Sequence, residues 1–155
     1  MRSVSYTHLR EGQRALFDHP FYSVVGKKDE NDELLLFLAQ WEFPDFLYVE
    51  HLAVSKAARG SGIGSHFLSQ YLKNAKKPVY LEVEPPELSD MAKRRIGFYE
   101  RLGLTLNPFP YLQPPLRPGD DFSPLLIMSY PGPISESEFL PLKEQIYREV
   151  FGREL

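Results

Sequence analysis

The sequence predicts an α+β fold built on one mixed sheet. Three observations lead there. Two apolar strands flank the polar turn Asp29-Glu30-Asn31-Asp32, as in a hairpin. A strand then runs into a glycine-rich turn, a helix, a second strand and a second helix. Further strands follow, and the chain closes on an amphipathic helix. This order departs from the regular βαβαβ alternation of a doubly wound fold.

Taken in order, Thr7 to Asp18 carries Leu9, Ala15, Leu16 and Phe17, which predicts a short helix. Phe21 to Gly26 and Glu33 to Phe43 are the hairpin strands. After the break at Pro44-Asp45, Phe46 to Val54 is apolar at nearly every position, as in a central strand covered on both faces. A helix from about Gly62 to Ala75 places Ile63, Phe67, Leu68, Tyr71, Leu72 and Ala75 on one face. Val79 to Glu84 is a strand stopped by Pro85-Pro86. Ser89 to Leu102 is a helix ended by Gly103, and a short strand lies near Leu104–Leu106. The stretch from Asn107 to Asp121 holds Pro108, Pro110, Pro114, Pro115 and Pro118 and predicts a stiff loop. Leu125 to Tyr130 is the last strand. Ser135 and Glu138 have the spacing of a capping box. Leu142, Ile146, Tyr147, Val150 and Phe151 form a stripe behind them, so a C-terminal helix is expected over about 135–152. That helix requires Pro141 to lie in its first turn.

A length of 155 residues, 43% hydrophobic and 25% charged, predicts a single soluble domain spanning 1–155. The formal net charge of −3 supplies no basic field for nucleic acid. The absence of cysteine excludes disulfides, thiolate metal sites and a thiol nucleophile, so any acyl transfer goes straight to the acceptor or through a hydroxyl. The histidines His8, His19, His51 and His66 lack metal-ligand spacing, and no metal is expected. The longest apolar run, Leu34 to Ala39, is far short of a membrane span, and Met1-Arg2-Ser3-Val4 opens no signal peptide; a cytoplasmic location is expected.

Chemistry concentrates in Leu52-Ala53-Val54-Ser55-Lys56-Ala57-Ala58-Arg59-Gly60-Ser61-Gly62-Ile63-Gly64-Ser65. Here a strand enters a turn that opens a helix. The first turn of a helix presents unpaired N–H groups and about half a positive charge. Glycines allow a phosphate to approach the backbone without Cβ contacts, and Arg59 adds a cation. A turn that merely starts a helix needs one or two glycines; three in five residues point to an anion site. The P-loop pattern is absent. The dinucleotide fingerprint G-x-G-x-x-G is met from Gly60 except for Ser65 in the last place, so a dinucleotide-binding protein stays open as an alternative.

The chain resembles the GNAT (Gcn5-related N-acetyltransferase) superfamily. Its diagnostic pattern, Gln/Arg-x-x-Gly-x-Gly/Ala, is matched by Arg59, Gly62 and Gly64. Its second feature, an aromatic-Tyr pair followed by glycine, is matched by Phe98-Tyr99-Glu100-Arg101-Leu102-Gly103-Leu104. The likeness covers roughly residues 21–130. The asparagine common early in the second helix is missing, with Ala92 near its place, and a C-terminal helix is added.

The resemblance implies a mostly antiparallel sheet whose two central parallel strands, Phe46–Val54 and Val79–Glu84, splay apart around acetyl-CoA. Main-chain groups of Leu52, Ala53 and Val54 would pair with the pantetheine arm, one N–H polarising the thioester carbonyl. Arg59, Gly60, Ser61, Gly62, Ile63, Gly64 and Ser65 would hold the pyrophosphate. The implied reaction moves an acetyl group directly to a primary amine of a small molecule or peptide, in a monomer or homodimer. A silent acyl-CoA-binding sensor is the alternative.

Such a reaction needs the amine deprotonated and the departing thiolate protonated. Tyr99 is the expected acid, although a phenol of pKa about 10 gives its proton to a thiolate of pKa about 8.5 only with help from its surroundings. Glu50 is the expected base, because burial in an apolar strand would raise its pKa. Glu82 and Glu84, two apart on the next strand, are alternates and candidate substrate contacts. Tyr111, in the proline-dense loop, is expected to face the acceptor.

Overall fold

The hairpin turn is written into Asp29. Its carboxylate accepts the amides of Asn31 and Glu33 at 2.8 and 3.0 Å, and Asp32 takes the left-handed φ of 66° that closes the turn. The computed structural model describes residues 2–5, 19–115 and 119–153, of which 2–5 are described in backbone only. The helix expected over Thr7 to Asp18 lies outside the described residues. The chain divides into two compact units, Met1–Leu81 and Glu82–Leu155.

In the first unit, β1 (Arg2–Ser5), β2 (Tyr22–Lys28), β3 (Leu34–Glu42) and β4 (Leu47–Val54) pair antiparallel in that order. The β1 strand was not expected from the sequence. Along β3 the buried positions are Leu36 and Leu38, then Ala39 and Trp41. At the same place the β3–β4 register shifts: Ala39 pairs with His51 and Gln40 with Val49, which leaves Glu50 as the extra residue of a bulge in β4. Strand β5 (Val79–Val83) runs parallel to β4, and the register Leu47↔Val79, Tyr48↔Tyr80, Val49↔Leu81 ends there.

Helix α1 (Ile63–Asn74) buries Gly64, Phe67, Leu68 and Leu72, one face at helical spacing. A Cβ on Gly64 would meet Val54 Cγ2 at 3.2 Å, so the first turn of α1 lies close against the end of β4. Trp41, Phe43, Phe46 and Tyr48 are all but inaccessible, and Phe43 and Phe46 lie 4.8 Å apart.

In the second unit, helix α2 (Asp90–Arg101) is capped by Ser89, whose Oγ accepts the Ala92 amide at 3.0 Å, and is followed by Gly103 at φ 102°. Strands β6 (Thr105–Leu106) and β7 (Tyr111–Gln113) both pair antiparallel with β8 (Ser123–Tyr130). Asn107 is buried but satisfied: Nδ2 donates to Ile127 O and Ser129 Oγ, and Oδ1 accepts from the Ile134 amide.

The capping box of helix α3 (Glu136–Phe151) forms in both directions, between Ser135 and Glu138. Pro141 stands one turn further in than the first turn that the sequence reading required. The helix survives that lost donor because Phe139, Ile146 and Tyr147 are buried and the ends are closed by the capping box and by Gly152 at φ 65°.

The fold is α+β, its strands mostly antiparallel with one parallel pair at β4 and β5.

Candidate functional site

Strand β4 changes character at Glu50. Leu47, Tyr48 and Val49 are buried while paired with β3 and β5, whereas Glu50 and His51 are exposed and Leu52, Ala53 and Val54 are half-buried. The β3 register continues to Val54 after the β5 register has ended. Apolar backbone is thus left part-open where a parallel neighbour has departed.

Ser55 then accepts the Ala58 amide at 3.2 Å, capping the short 3-10 turn Lys56–Ala58. Gly60 and Gly62 take φ values of 82° and 84°, which non-glycine residues adopt at a cost. A Cβ on either would meet nothing within 4 Å, so the space before both is open. Gly62 caps α1 without a side-chain bond, and the His66 amide, bonding Gly62 O at 3.0 Å, returns the chain to the helical pattern. The first turn of α1 holds no acidic residue. Arg59 is exposed, and its Nε donates to Val54 O at 3.4 Å, which aligns it with the end of β4. Amides, the positive helix end and a guanidinium therefore gather at one open turn, which suits a phosphate.

Glu50 departs from expectation: it is exposed, so the desolvation argument for a raised pKa fails. The physical reason lies in the pairing: Glu50 is the extra residue of the β3–β4 bulge, and the β4–β5 register ends at Val49 just before it. Its Oε2 accepts the Trp41 indole N–H at 3.3 Å, which orients the carboxylate. Tyr22 feels that charge: burial first, then Glu50, raises its phenol above 10. Pairing of Trp41 with Tyr48 sets Glu50 one pleat further along, a relation visible only once the strands are registered.

Tyr99 is half-buried on α2, its ring 5.4 Å from that of Phe98. Burial raises its phenol above the usual value of 10, and the Arg95 charge pulls the other way. Among the described residues its hydroxyl makes no hydrogen bond.

Glu84 is exposed, beyond the end of β5, with Arg95 Nη1 at 3.7 Å. Glu82 is half-buried, and its Oε1 accepts from Gln113 Nε2 at 3.2 Å. Tyr111 contradicts the sequence reading. Its side chain is 2% exposed, packed against Phe139 and Tyr147 rather than open to an acceptor. The cause is β7: the proline-dense segment pairs with β8 and turns Tyr111 into the core under α3. Burial, then the nearby Glu82 charge, raise its phenol well above 10. A Cβ on Gly97, inside α2, would meet only the Arg101 Nη1 end, at 3.4 Å.

The model of the acetyltransferase (GNAT) family matches residues 3–104. The chain belongs to this family. With membership come the acyltransferase class and acetyl-CoA as the family's cofactor. A GNAT-family structure from Bacteroides thetaiotaomicron is 35% identical over 96% of this chain and 84% of that one, with a TM-score of 0.84. The YjbC protein of Bacillus subtilis (strain 168), named for an assumed acetyltransferase activity, is 41% identical over 80 residues. That match spans 51% of this chain and 40% of YjbC. A Bacillus subtilis acetyltransferase solved in complex with CoA shares the fold, with a TM-score of 0.57 over 83% of this chain and 96% of that one. At 11% identity that likeness is one of fold alone. Among the described residues, no helix of this GNAT member is long and apolar enough to cross a membrane.

Proposed function

We propose that this GNAT chain, acting as one domain, transfers the acetyl group of acetyl-CoA directly to a primary amine. The observation that carries the reading is the uncapped start of α1 behind Gly60 and Gly62, open to solvent and flanked by Arg59. The residues fit the cofactor. Gly60 to Ser65 would take the pyrophosphate on backbone amides, and the part-open main chain of Leu52, Ala53 and Val54 would pair with the pantetheine arm. An amide of β4 would polarise the thioester carbonyl as the amine attacks.

Bound acetyl-CoA supplies an activated acyl group, and the chain's own residues handle two protons. Glu50, exposed and oriented by Trp41, takes the proton of the ammonium, directly or through water. Glu82 and Glu84 are the alternates. Tyr99 carries its proton at neutral pH as any phenol does; burial makes it a weaker acid, and the Arg95 charge, which pulls its pKa down, is the help that donation to the leaving thiolate needs. Without cysteine, no thiol intermediate can form on the enzyme. The acceptor is a small-molecule or peptide amine.

The test is thiol release from acetyl-CoA across a panel of small and peptide amines. Amine-dependent release supports the reading; saturable acetyl-CoA binding with no release for any amine would leave an acyl-CoA-binding module instead.

A further inference from the structure

A second concavity lies in the first unit, away from the glycine-rich turn. A groove of about 520 Å3 opens between α1 and the neighbouring strands β2 to β4, within the ~300–1,000 Å3 typical of small-molecule sites. None of its lining residues belongs to the proposed cofactor contacts.

Its apolar surface comes from Val25, Leu47 and the Phe67 ring. Its inner polar wall is already ordered: the Tyr71 hydroxyl donates to Gln40 Oε1, and Gln40 Nε2 donates to Ser23 Oγ at 3.1 Å. The Tyr71 phenol stays neutral, since burial and then the Glu42 charge raise it far above 10.

The charges are one-sided. Lys27, Lys76 and Lys77 face a single carboxylate, Glu42, on a chain whose net charge is −3. Lys77 is already engaged, 3.7 Å from Glu42 Oε1 and donating to Phe43 O at 3.0 Å, and so offsets that carboxylate. Lys27 and Lys76 form no ion pair among the described residues. The Lys27 ammonium sits 5.8 Å from the centre of the Phe67 ring, which holds a cation beside an apolar surface. The carbonyl end of α1 adds partial negative charge near Asn74, beside Lys76 and Lys77, so an anion is favoured at Lys27, away from that end.

We propose that this groove binds a small organic anion. Its carboxylate or phosphate pairs with Lys27, and its apolar body lies on Phe67 and Val25. The inference goes beyond the acetyltransferase reading and does not depend on it.

The test is a backbone-amide NMR titration of the protein with benzoate, phenyl phosphate, inorganic phosphate and benzyl alcohol. It is run with and without saturating CoA, so that phosphate at the glycine-rich turn is recognised separately. Benzoate or phenyl phosphate should shift Lys27, Phe67, Gln70 and Tyr71 whether or not CoA is present, and the stronger of the two identifies the anionic group. Binding should weaken with ionic strength. It should fall about fivefold in Lys27→Gln and again in Gln70→Glu, with CoA affinity unchanged as the check on folding. Shifts from neither organic anion, equal shifts from benzyl alcohol, or affinity unchanged in the lysine variant would each overturn the proposal. Failure of CoA to bind, with groove shifts intact, would count only against the cofactor site.

Discussion

At the scale of single residues, two positions carry opposite demands. Gly62 is needed for what it lacks: φ is 84° and the space ahead is open. In Gly62→Asp a carboxylate would stand where a phosphate is expected, on backbone that aspartate tolerates better than most residues. Acetyl-CoA affinity should fall about 30-fold by calorimetry, the equivalent of one charge-assisted anion contact. An unchanged Kd in a folded variant would remove the pyrophosphate from this turn. Tyr99 is needed for its proton. Tyr99→Phe should lower turnover about 100-fold while acetyl-CoA affinity stays within about twofold, because the hydroxyl acts only as the thiolate leaves. Since burial raises this phenol above 10, any alkaline loss of turnover due to Tyr99 should be centred above pH 10; a limb centred at neutral pH would assign the acid elsewhere.

At the scale of elements, helix α2 offers a clean test of local physics. Gly97 sits mid-helix with only the flexible end of Arg101 near its missing Cβ. Gly97→Ala should raise stability by about 0.5–1 kcal/mol in urea unfolding, and a loss would reveal a neighbour that needs the space. The elements also mark how far the sequence could be read. Helix α1, the Gly103 stop of α2 and the Ser135–Glu138 box follow local rules and were legible. Strand β7 was not, because five prolines read as loop. Yet Pro110 and Pro114 merely bracket the three paired residues, and Pro124 occupies a position opposite Leu112. Glu50 was misjudged for a similar reason. Apolar neighbours from Phe46 to Val54 suggest cover on both faces, but Glu50 is the extra residue of a bulge against β3, and that is a property of pairing. Tyr111 followed β7 into the core. Pro141 shows a local prohibition outweighed by tertiary burial.

At the scale of the whole molecule, buried phenols set a pH limit. Tyr22, Tyr71, Tyr99, Tyr111 and Tyr147 all have folded pKa values above 10, with burial the leading cause in each. Above pH 10 the unfolded chain releases these protons while the folded one keeps them. Stability is therefore complete below pH 10 and declines as pH rises through the folded values. Urea midpoints should hold between pH 8 and 9.5 and drop steeply towards pH 11; a flat profile would mean that the phenols titrate normally. Family membership, the open end of β4 and the uncapped start of α1 all converge on one claim, that acetyl-CoA lies along Leu52–Val54 with its pyrophosphate on Gly60–Ser65. Backbone-amide NMR with added CoA tests it most directly. The account predicts the largest shifts at Ala53, Val54 and Gly60 to Ser65; amides there that stay in place while others move would contradict it.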